Sequence, residues 1–261
     1  MFTPQKPQNY FFSQVHQPFF ISGIVFAVVV MLMFMLAHKG ILPMQVDSSS
    51  FHSYSLVYIV FTQFFTGFIF TTFPRFCQSE AIEKSYYLRT WALHQLGAVL
   101  FLAGAVLSVE LLYIGISVLL VANTAIVYKL RQIYTNAPEA MRHDPKWILV
   151  GFSMGLFAHF LYFLVFASVD NSAVAMAVNL YLVYVTFAVG QRMVPLFSHF
   201  LADTNSRSAP TVHAGSLLNT VARYLGAASL SLLVDTSYLL YVAFYARRRT
   251  PHTYATTARV T

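Results

Sequence analysis

Apolar side chains run in long blocks along this chain, separated by short polar stretches, and the blocks fall at residues 17–37, 53–73, 91–108, 110–128, 147–168 and 173–197. Each approaches the roughly 20 mostly apolar residues that a helix needs to cross about 30 Å of hydrocarbon. The pattern therefore predicts membrane-spanning helices. A seventh block, 224–245, is weaker because it carries Asp235 and comes just after Arg223. The third and fourth blocks have almost no loop between them, only Val109 and Glu110, which predicts a tight helical hairpin. The fold class expected is all-α, a polytopic transmembrane helix bundle of about six to seven spans. Residues 1–16 form a cytoplasmic N-terminal segment, 17–245 the helical domain and 246–261 a basic, disordered tail.

Composition agrees with the pattern. With 57% hydrophobic residues, 10% charged residues and 25 phenylalanines, the chain has too few charges to coat a soluble globule. The charges it has are placed asymmetrically. Lys6 precedes the first block; Arg75, Lys84 and Arg89 come after the second; Lys129, Arg131, Arg142 and Lys146 after the fourth; Arg207 after the sixth. The alternate connections carry Lys39, Glu110 and Asp170. By the positive-inside rule the N-terminus is cytoplasmic. An odd seventh span would then place Arg247, Arg248 and Arg249 outside. That conflict is resolved if the block does not cross, if the arginines tolerate the outer face, or if an eighth span is missing, the last being the favoured reading.

Other features exclude functions. The first block is longer than the h-region of a cleavable signal peptide, and no small-residue cleavage site comes after it. A single cysteine, Cys77, excludes an internal disulfide framework. The net charge of +7 belongs to loops and tail, so it is topological and not the footprint of a nucleic-acid partner. No phosphate-binding glycine loop, nucleophile elbow or pair of catalytic carboxylates is present in the sequence, and enzymatic activity is left open.

Chemistry must then come from polar groups inside the spans, which are costly in lipid and mark functional sites. In the fifth block Gly151, Gly155 and His159 recur every four residues, a slanting stripe at about 40° per step. Two glycines admit a second helix or a flat ligand close to the backbone. His159 is then either bonded to a neighbouring helix or a ligand for haem or copper, both of which accept imidazole. The second block begins with His52 and carries Gln63 and Thr66 near the same helical line, a polar stripe that reads equally as a ligand face or as interhelical bonding. His94 lies one turn inside the inner end of the third block, beside Arg89 and Trp91, where a ligand competes with an interfacial residue. Met31, Met33 and Met35 have thioethers able to hold Cu(I), but methionine is also an ordinary filler of apolar helices. Arg192, one turn from the inner end of the sixth block, either snorkels to the interface or supplies a fixed cation for a carboxylate such as a haem propionate.

The run Gly190, Arg192, Met193, Val194, Pro195, Phe197 and Ser198 resembles the G-G-R-V-I-P-x-F-T-x-N signature of the NnrS family. These are membrane proteins described as containing haem and copper and linked to nitric oxide and denitrification. Gln17, Pro18, Phe19 and Phe20 are similar to the family's R-P-F-F, Phe51 and His52 to its W-H-A-H-E, and Phe73 and Pro74 to its V-P-N-W. His159 stands where the family has a mid-span histidine, and the resemblance covers roughly residues 12–200. It implies a protein binding haem and copper through His159 and His52, with Arg192 near the cofactor, nitric oxide as a ligand, and respiratory or denitrification membrane proteins as partners. His94 joins this set from its depth and polarity. In contrast, Tyr54 and Ser55 replace the second histidine and the glutamate of W-H-A-H-E, Gln17 and Gln191 replace an arginine and a glycine, and Phe200 an asparagine. The reading adopted is an NnrS-like membrane protein that binds haem and copper in the response to nitric oxide; the losses at Tyr54 and Ser55 favour the alternative, a metal-free membrane scaffold or assembly partner, and less so a small-solute carrier, for which no repeated halves are visible.

Overall fold

The computed structural model describes residues 10–165, 177–186 and 188–189, all within one compact unit, Met1–Ser208. Among the described residues every regular element is helical, and five helices are long and apolar enough to cross a membrane. They are His16–His38, Ser48–Phe76, Lys84–Leu107, Val109–Asn136 and His143–Val165, here spans one to five, with a shorter apolar helix after them, Ala177–Thr186. The all-helical bundle is thus as expected. The seventh block and Arg192 lie outside the described residues.

Helix boundaries differ from the hydropathy blocks. Span two begins at Ser48, because Asp47 caps it by accepting from the backbone N–H groups of Ser49 (2.9 Å) and Ser50 (3.1 Å). Span three begins at Lys84, seven residues before the apolar block. Polar residues add hydrogen-bonded turns at the interface, where an unwound backbone would leave N–H and C=O groups unpaired. His94 therefore lies ten residues into its helix, about 15 Å along it, and is buried inside the bundle.

Spans three and four form the expected hairpin, turned by one residue, Ser108, in extended conformation (φ −162°, ψ 147°). Its Oγ accepts the N–H of Leu111 at 3.2 Å and starts the returning helix. Glycines let the two backbones meet. A Cβ at Gly104 would stand 2.1 Å from the Leu112 nitrogen, and one at Gly115 would stand 2.3 Å from the Phe101 nitrogen. Between helices in lipid, where no hydrophobic gain drives association, such close backbone approach is the main source of packing energy.

Span two is the axis of the bundle. Of its apolar stretch 61% is buried, against 17% for span one, which lies along the edge. Ile24, Val25, Val28, Leu32, Leu96, Val99, Ile114, Val121, Phe157 and Leu164 are all exposed. Apolar side chains turned outward from several spans make the bundle's surface a lipid-facing one.

In its middle, span two widens into a π-helix over Ser55–Phe61, and a second π-helix runs over Ala177–Val183. A π-turn carries an extra residue relative to the α-helix and rotates the next turn of the chain by about 100°. The line drawn for an uninterrupted helix from His52 to Gln63 is therefore not straight. His52 stacks on Phe34 of span one (4.1 Å between ring centres, 26°). Gln63, fully buried, joins spans one, two and three: its Oε1 accepts from Ser22 Oγ and, at 3.0 Å, from Gln95 Nε2, while its Nε2 donates to Ile59 O. Gln63 is thus an interhelical bonding residue.

Candidate functional site: a buried histidine core

His159 has no solvent exposure and sits on the face of span five that carries Gly151 and Gly155. Those glycines admit a helix. A Cβ at Gly155 would lie 2.4 Å from the Tyr181 ring, and one at Gly151 would lie 2.7 Å from Val185, so the stripe is filled by the Ala177–Thr186 helix. Of the two occupants the sequence allowed, a second helix and a flat ligand, the first fills the space beside the glycines.

Both ring nitrogens of His159 are engaged by other spans. Nδ1 lies 2.9 Å from the Asn123 carboxamide nitrogen of span four, and Nε2 lies 2.7 Å from the Tyr54 hydroxyl of span two. With the carboxamide placed nitrogen-first, Nδ1 accepts and Nε2 carries the ring proton, donating to the Tyr54 oxygen; this placement leaves Asn123 Oδ1 buried without a partner among the described residues, and the carboxamide turned over would reverse both bonds. The ring face is covered as well, stacked on Tyr58 at 4.0 Å and 14°. Tyr58 donates its hydroxyl to Gly155 O (3.3 Å), and Tyr54 stacks on Phe101 at 4.5 Å.

Tyr58 also binds His94. Its backbone oxygen, inside the π-helix, is 3.0 Å from His94 Nε2. A carbonyl can accept only from an N–H, so His94 Nε2 bears the proton and Nδ1 a lone pair. Nδ1 is buried and has no hydrogen-bond partner among the described residues. A widened turn leaves a backbone carbonyl for a side chain to take, and His94 takes this one. Further along, Thr62 bonds Val57 O (2.8 Å) and pairs with the Tyr181 hydroxyl at 3.1 Å, linking the two π-helices. Tyr162, one turn beyond His159, donates to Ser53 Oγ at 3.2 Å.

Four spans and the short helix thus converge on one polar, aromatic core of His159, Tyr54, Tyr58, Asn123, His94 and Tyr181. His52 is bound elsewhere, stacked on Phe34, with Nδ1 buried and without a partner among the described residues. Met31 and Met35 are 48% and 45% exposed on the outer face of span one. Ser55, in the place of the family's glutamate, returns its hydroxyl to Phe51 O at 2.6 Å within its own helix.

Haem and copper, the groups that the resemblance implies, do not fit His159 as the described residues hold it, although His94 Nδ1 in the same core keeps a bare lone pair. Both nitrogens of His159 are hydrogen-bonded, one to Asn123 and the other to Tyr54. No group of three His, Cys, Asp or Glu side chains converges among the described residues. The cavity beside Asn123, Phe152, Gly155 and Tyr181 measures about 10 Å³. That is room for about one water, whereas cofactor pockets run to hundreds of Å³.

Four of the core residues, Asn123, Tyr54, Tyr58 and Tyr181, escape a reading of the sequence. Asn123 was detectable in principle as a carboxamide in the middle of the apolar run VLLVANTAIV. Tyr54 stood out only as a replaced histidine, and nothing local shows that its hydroxyl reaches residue 159.

No curated protein and no solved structure matches the chain. A family model described as NnrS protein matches residues 10–254, which takes in every span and every residue of the core. By that match, extending over nearly its whole length, this helical membrane protein belongs to the NnrS family.

Proposed function

We propose that the chain acts in the bacterial cytoplasmic membrane, N-terminus inside, in the response to nitric oxide, with the His159 core as its working part. The observation that carries this reading is a fully buried intramembrane histidine bonded through both nitrogens to two other spans. Ionisable groups at such depth are retained where function requires them. The test is growth under a nitric oxide donor of cells lacking the protein, complemented with wild type or with His159→Phe at matched membrane levels. Wild type restores growth and the variant does not. Full rescue by His159→Phe, or a deletion without any nitric oxide phenotype, refutes the proposal.

A His159 that fits neither haem nor copper favours a scaffold or assembly partner of respiratory or denitrification proteins over a redox carrier. Affinity purification from native membranes in mild detergent tests it: a respiratory or denitrification complex is recovered with the tagged protein, and recovery of the protein alone counts against the scaffold.

A further inference from the structure

We propose that His159 is closed to metal in this chain, held in a hydrogen-bonded triad with Asn123 and Tyr54 in which the Tyr54 hydroxyl occupies the ring nitrogen that a metal would need. This rests on the His159 core being the working part, as proposed above, and gives that core its chemical state. It departs from the haem and copper that the family implies.

A metal takes an imidazole through a bare nitrogen lone pair. At His159 the carboxamide of Asn123 holds Nδ1 at 2.9 Å and the Tyr54 hydroxyl holds Nε2 at 2.7 Å: with Asn123 nitrogen-first the proton sits on Nε2 and Tyr54 accepts it, and with Asn123 turned over Tyr54 donates into the Nε2 lone pair, so Nε2 is taken in both. To free Nε2, the proton must leave or move to Nδ1, and Asn123 must turn its other end to the ring. Tyr54 must also withdraw, yet its ring is fully buried and stacked on Phe101. The space is closed on the remaining sides. Tyr58 covers one face of the imidazole at 4.0 Å, and Tyr181 fills the groove over Gly155. Imidazole remains an attractive ligand only where its second nitrogen, and not its first, is used for orientation. Here both serve orientation, and the result is a rigid junction of spans two, four and five.

The test uses the full chain, purified in detergent from a host supplied with haem precursor and copper. Iron and copper are quantified, the Soret region is scanned oxidised and reduced, and the histidine nitrogens are read by 15N NMR. Wild type should hold far less than stoichiometric metal, with no Soret band and with a hydrogen-bonded His159 Nε2. Tyr54→Phe, nearly isosteric, should shift that Nε2 signal by removing its partner while metal stays absent. A Soret band or copper near one per chain that is lost in His159→Phe overturns the proposal, as does a His159 signal indifferent to Tyr54→Phe. Metal that survives His159→Phe, beside a hydrogen-bonded Nε2 in wild type, belongs to another site and leaves the triad standing. These readouts are independent of the growth assay, so a failed nitric oxide phenotype and a metal-bound His159 are separate results.

Discussion

Tyr54 and His159 lie 105 positions apart in sequence, and the bond between them joins the axis of the bundle to span five. Removing the hydroxyl while keeping the ring isolates that bond. Tyr54→Phe should lower stability by about 0.5–2 kcal/mol, because a buried ring nitrogen loses its partner but interhelical bonds in lipid are worth less than full desolvation implies. Thermal unfolding in detergent measures it, and a double-mutant cycle with His159→Phe should return a coupling of similar size; additive effects would show that the bond contributes nothing. How legible was this pair beforehand? His159 stood out because a histidine four residues beyond two spaced glycines is conspicuous in an apolar helix. Its partners did not, since a tyrosine or an asparagine in a span gives no sign of which helix it will face.

The hairpin of spans three and four rests on backbone contact, which sets its tolerance. Gly104→Ala and Gly115→Ala place a methyl group against main-chain atoms that cannot rotate away. Each should cost more than about 4 kcal/mol or prevent folding, at the extreme of single substitutions. Gly23→Ala is the contrast: its Cβ meets the Phe64 ring at 3.2 Å, a side chain that can shift, and because alanine gains helix propensity the net change should stay within about 1 kcal/mol. Size-exclusion profiles and melting temperatures separate the two classes, and equal behaviour of Gly23 and Gly104 variants would contradict the close approach. The π-helix of span two makes a different demand. Deleting Leu56 should restore an α-helix, turn Tyr54 by about 100° relative to Thr62, and abolish the His159 Nε2 signal shift expected on Tyr54→Phe. A deletion variant in which that shift persists would mean that the widened turn does not aim Tyr54. The π-helix was invisible in the sequence because its residues, SLVYIVF, have the apolar character of any span.

The two ends of the bundle differ in lysine and arginine. At and between the helix ends joining spans two to three and four to five lie Arg75, Lys84, Arg142 and Lys146, whereas the connections of spans one to two and three to four carry Lys39 alone. Lysine and arginine are held on the cytoplasmic side during insertion, so the proposed orientation is testable with exposed positions from the two faces. In intact spheroplasts a cysteine replacing Lys39 should react with an impermeant maleimide. One replacing Glu80 should react only after the membrane is opened, with the buried Cys77 silent in both. The reverse pattern would invert the topology.

The solvent, the class of fold and the order of the spans were all legible in the amino-acid order alone, because each depends on a local property. About 20 apolar residues make a helix in lipid whatever surrounds them, since the backbone has no other partner for its hydrogen bonds. The glycines and His159 could be read as one face for the same reason: helical periodicity is local. It took the folded bundle to show what that face meets. Asn123, Tyr54 and His94 come from three other spans, and Tyr54 is aimed by a π-turn that leaves no trace in hydropathy. Whether an imidazole offers a lone pair or spends it on a neighbour depends on where a hydroxyl from another helix comes to rest. Here it rests 2.7 Å from Nε2.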